Sequence, residues 1–340
     1  MKRKWNWAKL SPKDRAYISI FYPEYKEKYI QDLIKAGVLV KKKDGTYSYH
    51  GDKLAGIKMK RPDVYLGRAK KYISDIYADS LNDIMAPLLD IYNHCYDENG
   101  VPDLTKMYTY KRYYEQVDNL NWSLAHLDSS LCNFLDTYMD KMYVEACKWC
   151  ASDCLVGNGV YWDEEKVLWL LGKHEIKSKS WTEQMWCKDG KNIKGRTKAL
   201  RAKCEKTIKQ GLVECVANGR SVDDFKRLVE RRLGVSESGA WKIARTELMH
   251  AYNCADYDTY RRLGIEQYKY IATMDDRVCP DCKALHGRVF PIEMAVEGIN
   301  YPVLEPYCRC TTIGQFLSDE LQAQIDKEIE KIKENYVKAE

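Results

Sequence analysis

Two pairs of cysteines in the last third of the 340-residue chain are the side chains best suited to chemistry. Cys279 and Cys282 are separated by two residues, and Cys308 and Cys310 by one. A two-residue gap lets a tight turn aim both sulfurs at one ion, at the Zn–S distance of about 2.3 Å. Alternate residues of an extended segment also project to one side. The spacing therefore predicts a closed structural zinc site, with simple buried or surface thiols as the alternative.

Two other interpretations of these cysteines were weighed. His286 could replace one cysteine as a ligand, although a lone histidine more often forms local hydrogen bonds. A thioredoxin-type redox pair needs its first cysteine at the start of a sustained helix. Gly287, five residues beyond Cys282, argues against such a helix. The sequence therefore favours a metal ligand set over redox catalysis.

A second cluster consists of Cys147, Cys150 and Cys154, at positions i, i+3 and i+7 of a predicted helix. Three thiols on one helical face could ligate an iron–sulfur cluster. A continuous helix cannot wrap a cluster, however, and cysteine on an apolar face packs as a small hydrophobic residue. Core packing is the favoured interpretation.

Enzymatic chemistry finds no support among the recognisable motifs. The chain has no glycine-rich nucleotide loop, no nucleophile elbow and no paired-histidine metalloprotease helix. Arg245, Thr246 and Glu247 could be taken as an acid/base group, but adjacent helical residues point in different directions. Pairing of Arg245 and Glu247 with neighbouring elements is therefore favoured, and the protein is not expected to be an enzyme.

Composition and charge narrow the class of protein. No run of about eighteen apolar residues occurs and the first residues lack a secretory signal, which predicts a soluble protein with no membrane partner. The thirteen cysteines are accordingly expected to be reduced. Net charge is segregated, at roughly +12 over residues 1–71, −10 over 72–190 and +8 over 191–232. The basic segments could contact double-stranded DNA without sequence preference. The alternative is that they form a solvated face or contact an acidic partner.

Periodicity and turn signals predict an α+β protein. A basic N-terminal arm (1–71) precedes a helical region (72–180), with a break at Asn99–Pro102. Residues 181–316 form a smaller α+β domain with the cysteine-rich module, and residues 317–340 an amphipathic helix. Within that domain the pattern predicts a helix from Thr182 to Asn218, another ending near Gly234, and a third that is capped by Ser236 or Ser238 and stops at Gly264. The segment from Tyr268 to Thr273 is rich in aromatic and β-branched residues and predicts a strand.

Several short motifs follow one another across residues 180–315. Each is weak alone, but their order is specific. They comprise Trp181 to Trp186, Gly211-Leu212, Asn218 to Ser221, Ala244 to Glu247, Asp276-Arg277 with Cys279 to Cys282, Leu285 to Phe290 around Gly287, and Pro306 to Thr311 around Arg309. This ordered set resembles the tailed-phage head morphogenesis family, also called minor capsid or minor head proteins, which includes protein F of phage Mu.

The resemblance implies a low-copy structural component of a phage head. Such a protein is made in the host cytoplasm and incorporated into the virion, in the capsid interior or near the portal. Its implied partners are the portal protein and the scaffold or major capsid protein, with packaged or ejected DNA as a further contact. The alternative is a metal-dependent enzyme acting on nucleic acid, or a toxin-like domain.

One departure from the family's pattern concerns the metal site. Where relatives typically have histidine before the proline of the last motif, this chain has Glu305 before Pro306. If that histidine is a ligand in relatives, Glu305, Cys310 or His286 must take its place here. The identity of the fourth ligand is therefore open.

Overall fold

The computed structural model describes residues 51–157 and 190–315, with residues 39–41, 47–49, 181, 183–186 and a few positions before residue 36. Most of the predicted N-terminal arm, the stretch 158–180 and the predicted C-terminal helix lie outside these residues. Within them, no helix is both long and apolar enough to cross a lipid bilayer.

Long helices dominate the first part of the described chain. A short antiparallel strand pair precedes them. The elements are β1 (Leu39–Lys41), β2 (Tyr47–Tyr49), α1 (Gly51–Asn93), α2 (Leu104–Thr109), α3 (Tyr113–Gly157), α4 (Ile193–Ala217) and α5 (Val222–Arg262). The predicted break after α1 is confirmed. Gly100 there has a positive φ of 75°, and Asp103 caps α2 by accepting hydrogen bonds from two backbone N–H groups.

Two predicted helix boundaries are wrong. Helix α4 begins at Ile193 rather than Thr182, because Asn192 is its N-cap and accepts a hydrogen bond from the backbone N–H of Gly195. Helix α5 runs through Gly234 and Ser236 without a stop. Ser236 is buried and hydrogen-bonded to the hydroxyl of Tyr77 at 2.9 Å, so its side chain serves packing instead of capping.

A small sheet follows α5 and confirms the predicted α+β class. Its elements are β3 (Gln267–Ile271), α6 (Pro280–Leu285), β4 (Val289–Pro291) and β5 (Thr311–Gly314). The strand order is β4-β3-β5, and both pairings are antiparallel. The chain turns out of α5 at Gly264, whose φ of 67° is the left-handed conformation expected after a helix. The central strand β3 places Tyr268 and Tyr270 in the core.

The chain divides into two compact units. The first comprises Met1–Tyr65, Asp140–Lys179 and Met249–Glu340, and the second Leu66–Met139 and Ser180–Leu248. In the first unit, Tyr260, Tyr268 and Tyr301 pack in a core cluster with Cys150 and Ile292. In the second, Tyr92 stacks on Phe225 with ring centroids 4.7 Å apart. The domain boundaries predicted at residues 71, 180 and 316 stay predictions.

Candidate metal centre and its supporting contacts

Three of the four predicted cysteines form a buried sulfur cluster. The Sγ atoms of Cys282, Cys308 and Cys310 lie within 4.8 Å of one another, and all three side chains are buried. Cys282 Sγ and Cys308 Sγ are 3.8 Å apart. A tetrahedral ion with Zn–S bonds of about 2.3 Å separates its sulfurs by about 3.8 Å. The cluster therefore has the dimensions of a zinc thiolate site.

A helix N-cap and a backbone turn position these sulfur atoms. Cys279 is the N-cap of α6, and its Sγ accepts a hydrogen bond from the Cys282 backbone N–H at 3.3 Å. Pro280 suits the first turn of a helix because that position has no use for an N–H donor. Cys308 and Cys310 come just before β5, after a turn in which the Cys308 N–H bonds the Glu305 carbonyl oxygen at 3.0 Å.

The other proposed ligands lie outside the three-sulfur cluster. Cys279 is half-buried and is not a member of that group. His286 is exposed, and its Nδ1 accepts a hydrogen bond from the Ala272 backbone N–H at 3.1 Å. Glu305 is exposed on the preceding turn. The fourth ligand, and with it the full predicted set, stays a prediction.

Hydrogen bonds to sulfur give the cluster a preferred location for negative charge. Hydrogen bonds from Cys282 and Cys310 lower the pKa of the Cys308 thiol. The hydrogen bonds of Cys282 with Cys308 and Cys310, together with burial, raise the pKa of the Cys282 thiol. The buried Tyr270 hydroxyl also donates to Cys282 Sγ at 3.3 Å. Such a donor stabilises a metal-bound thiolate and orients it.

The segment carrying Cys308 and Cys310 is fixed by Arg309. Its guanidinium forms a two-pronged ion pair with Asp275, at 2.5 and 2.7 Å. Asp276 and Arg277, which carry the family motif, are exposed. The acidic partner of Arg309 is thus the residue next to the motif, and sequence spacing gave no signal for it. Gly287 has a positive φ of 78°, and its N–H bonds the Tyr270 carbonyl oxygen on β3.

Asn253 is a second supporting residue that sequence reasoning missed. It is fully buried in α5 and donates from Nδ2 to the carbonyl oxygens of Met249 and Cys310, at 2.9 and 3.3 Å. Thr273 similarly donates to the Arg309 carbonyl oxygen at 3.0 Å. A signal for Asn253 existed, since it is an amide placed among Ala251, Tyr252 and other apolar positions of a helical stripe.

The contacts of the Arg245-Thr246-Glu247 motif are those of a structural element. Glu247 is 1% exposed, forms an ion pair with Arg196, and accepts a hydrogen bond from Trp186 Nε1 at 2.8 Å. The Arg196 guanidinium lies over the Trp186 ring, 5.3 Å from its centroid. Thr246 Oγ1 bonds the backbone of its own helix. A buried carboxylate held by two donors is poorly placed to accept a substrate proton.

The other tryptophan of the early motif is also structural. Trp181 is 1% exposed, and its backbone N–H donates to the Asp136 carboxylate at 2.9 Å.

The second cysteine cluster, on α3, packs in the hydrophobic core. Cys147 and Cys150 are 1% exposed, and their thiols lie against the Ala255 and Asp256 carbonyl oxygens at 3.9 and 4.0 Å. Cys154 packs at the edge of the same core. Within the described residues, the twelve cysteines form no disulfide bonds.

Comparison with known proteins supports the resemblance drawn from the motifs. Residues 206–313 match the family model described as Phage Mu protein F like protein. The matched range contains α5, β3, β4, all of β5 except Gly314, and all four predicted cysteine ligands. No curated protein and no solved structure gives a significant match to the chain. The family resemblance is therefore confirmed over residues 206–313.

Proposed function

We propose that the chain is a minor capsid protein that acts in assembly of a tailed-phage head, beside the portal. The family match over residues 206–313 carries this proposal. The motif residues within that range support it, because they serve to hold elements together. Glu247 is buried beneath Arg196 and Trp186, and Arg309 is fixed by Asp275.

The cysteine cluster gives less support to the alternative of a metal-dependent enzyme. A catalytic zinc site keeps one coordination position open for water or substrate, usually with nitrogen and oxygen ligands. Three buried sulfurs with Cys279 on the adjacent turn favour a closed site. We therefore assign the cysteine cluster the role of a structural zinc staple, which joins α6 to the segment before β5.

Zinc content tests the staple. We expect the reduced full chain to lose one zinc per molecule on Cys308→Ala, and to bind that zinc more weakly on Cys279→Ser if Cys279 is the fourth ligand. Cys215→Ala is the control, since Cys215 is a buried cysteine outside the cluster. An unchanged zinc content in Cys308→Ala would exclude the staple while leaving the assembly role untouched.

A basic face of α4 supports contact with DNA. Lys198, Lys203 and Lys206 are exposed and fall within an arc of about 140° at 3.6 residues per turn. Lys194, which is ion-paired with Glu183, lies beyond the edge of this arc. The exposed positions between them, Ala199 and Ala202, are uncharged. Phosphate contacts by lysine release counterions and need no base sequence. We therefore include non-specific binding of packaged or ejected double-stranded DNA in the proposed function.

Salt dependence of DNA retention tests this face. Each phosphate contact contributes about 0.9 to the slope of log affinity against log salt. Replacement of Lys198, Lys203 and Lys206 by glutamate should therefore flatten the slope by about 2.7. The matched control replaces the exposed Lys106, Lys111 and Lys141, with the same change in net charge. Equal losses in both variants would indicate bulk charge instead of a binding face.

The assembly role is tested by co-purification with the portal protein of the same phage. Tagged portal should retain the full chain after a moderate-salt wash, and incorporation into procapsids should require the same interaction. Failure to associate with portal, scaffold or major capsid protein under assembly conditions would refute the main proposal. Retention that survives the lysine substitutions would separate portal binding from DNA binding.

A further inference from the structure

A second group of metal-binding side chains lies on α5 and the loop before β5, apart from the cysteine cluster. His250, Cys254 and Glu297 each offer one ligand atom, and these atoms lie within 4.8 Å of one another. His250 and Cys254 are four residues apart on α5, the spacing that places two ligands on one helical face. None of the three belongs to the motifs that carry the family resemblance.

The distances suit a borderline transition-metal ion. Cys254 Sγ lies 3.7 Å from both ring nitrogens of His250. Because equal distances place the sulfur off both nitrogen lone-pair directions, ion binding requires a rotation of the imidazole or of the Cys254 side chain. Zn–S and Zn–N bonds of about 2.3 and 2.0 Å at a tetrahedral centre separate the two ligand atoms by about 3.5 Å. His250 Nδ1 and Glu297 Oε1 are 2.5 Å apart, which is a hydrogen bond. Ion entry between them requires a separation of about 3.3 Å, a movement below one ångström.

The loop that carries Glu297 is held against α5 at this place. Tyr301 donates from its hydroxyl to the Asn253 carbonyl oxygen at 2.9 Å, between His250 and Cys254 in the sequence. The Gly298 N–H bonds the Tyr301 carbonyl oxygen at 3.1 Å, which closes the loop directly after Glu297. The carboxylate is thus presented to the helix by a fixed turn.

One side of this group faces solvent. His250 is 2% exposed, whereas Cys254 and the Glu297 side chain are partly exposed, so solvent reaches one side.

We infer that His250, Cys254 and Glu297 bind a second divalent transition metal of the zinc class. Imidazole, thiolate and carboxylate form a mixed ligand set that zinc accepts, whereas magnesium and calcium prefer oxygen ligands alone. Three protein ligands with one solvent-facing side leave a coordination position for water or an external ligand. The site thus differs from the closed sulfur staple and is independent of it.

Cobalt titration of the metal-free, reduced full chain tests the site. Cobalt(II) reports thiolate ligation by a charge-transfer band and tetrahedral geometry by its visible bands. We expect Cys254→Ser to lose about one equivalent of cobalt and Glu297→Gln to weaken its binding at least 10-fold. Cys154→Ser is the matched control, because it changes another half-buried helical cysteine and should keep every equivalent.

A crossed design separates this site from the staple. Cys308→Ala and Cys254→Ser should each remove one equivalent, and the double variant two. In the Cys308→Ala background, zinc should raise the melting temperature, and this rise should vanish on adding Cys254→Ser. Folding of each variant is checked by circular dichroism, and Glu297→Gln decides the matter if Cys254→Ser misfolds. Wild-type cobalt stoichiometry and affinity in a folded Cys254→Ser or Glu297→Gln variant would overturn the inference.

Discussion

Replacing Lys58 by methionine would remove the positive charge from a buried network in the first compact unit. Lys58 Nζ donates to Asp256 Oδ2 at 2.7 Å, to the Tyr260 hydroxyl at 3.3 Å, and to the Thr312 carbonyl oxygen at 3.1 Å. The Lys58 and Asp256 side chains are 2% and 1% exposed. The network connects α1 and α5 to β5, the strand that follows Cys310, so its loss should also loosen the cysteine segment.

The expected cost follows from the burial. Removing one partner of a buried ion pair leaves an uncompensated charge and costs about 3–5 kcal/mol. Burial already raises the pKa of Asp256 even with Lys58 beside it. Without Lys58, Asp256 will take up a proton more readily, which places the loss near the lower end of that range. A second change, Asp256→Leu, removes the unpaired carboxylate and should restore part of the loss.

Urea unfolding of the full chain measures these differences as shifts in midpoint at constant slope. Lys60→Met is the control, since Lys60 is an exposed lysine on the same helix. A Lys58→Met protein within about 1 kcal/mol of wild type would refute the network. So would a Lys58→Met/Asp256→Leu protein that is less stable than the single variant, because the loss would then reflect packing instead of charge.

Three further outcomes are expected. Gly211→Ala should give a net cost of up to about 2 kcal/mol in urea unfolding, because overlap of the added methyl with the half-buried Leu228 side chain costs about 1–3 kcal/mol and removing a glycine from the helix interior returns about 1 kcal/mol. Gly234→Ala, in open space within a helix, should stabilise by up to about 1 kcal/mol. Trp186→Phe should cost about 1.5–3 kcal/mol by the same measurement, since it removes a hydrogen bond to a buried carboxylate, and an effect below 0.5 kcal/mol would contradict that contact. Tyr270→Phe should weaken zinc binding about 10-fold to 100-fold in a chelator competition, and unchanged affinity would show that its hydroxyl does not support the thiolate.

Local sequence patterns correctly predicted the helix ends and the strand that depend on nearby residues. The helical periodicity before Asn99 and the glycines at 100, 219 and 264 gave correct breaks, since each glycine adopts a positive φ that other residues avoid. The strand at Tyr268 was recognised from its aromatic and β-branched composition. The same local rules failed at Gly234 and Ser236, where tertiary contacts keep α5 continuous through weak stop signals.

Long-range partners could not be predicted from spacing. The basic N-terminal arm predicted over residues 1–71 includes Lys58, because nothing near it in the sequence shows that an aspartate 198 residues later will neutralise it. The partner of Arg309 could not be predicted for the same reason, since Asp275 and Asp276 are equivalent acidic candidates without the fold. A run of like charges in the sequence indicates an exposed surface. Whether a single charged residue is buried depends on a partner that the fold brings to it.

Each cysteine pair could be recognised because its spacing is a local feature of the sequence. The contact between the two pairs depends on the tertiary fold and could not be predicted in the same way. Tight turns explain Cys279–Cys282 and the Cys308–Cys310 segment separately, and the antiparallel pairing of β3 with β5 brings the two together. The His250 group had no such signal, because its third member comes from a loop 47 residues away. If both sites bind metal, the closed one would secure the fold of the C-terminal module. The open site would then be the position at which that module binds water or an external ligand.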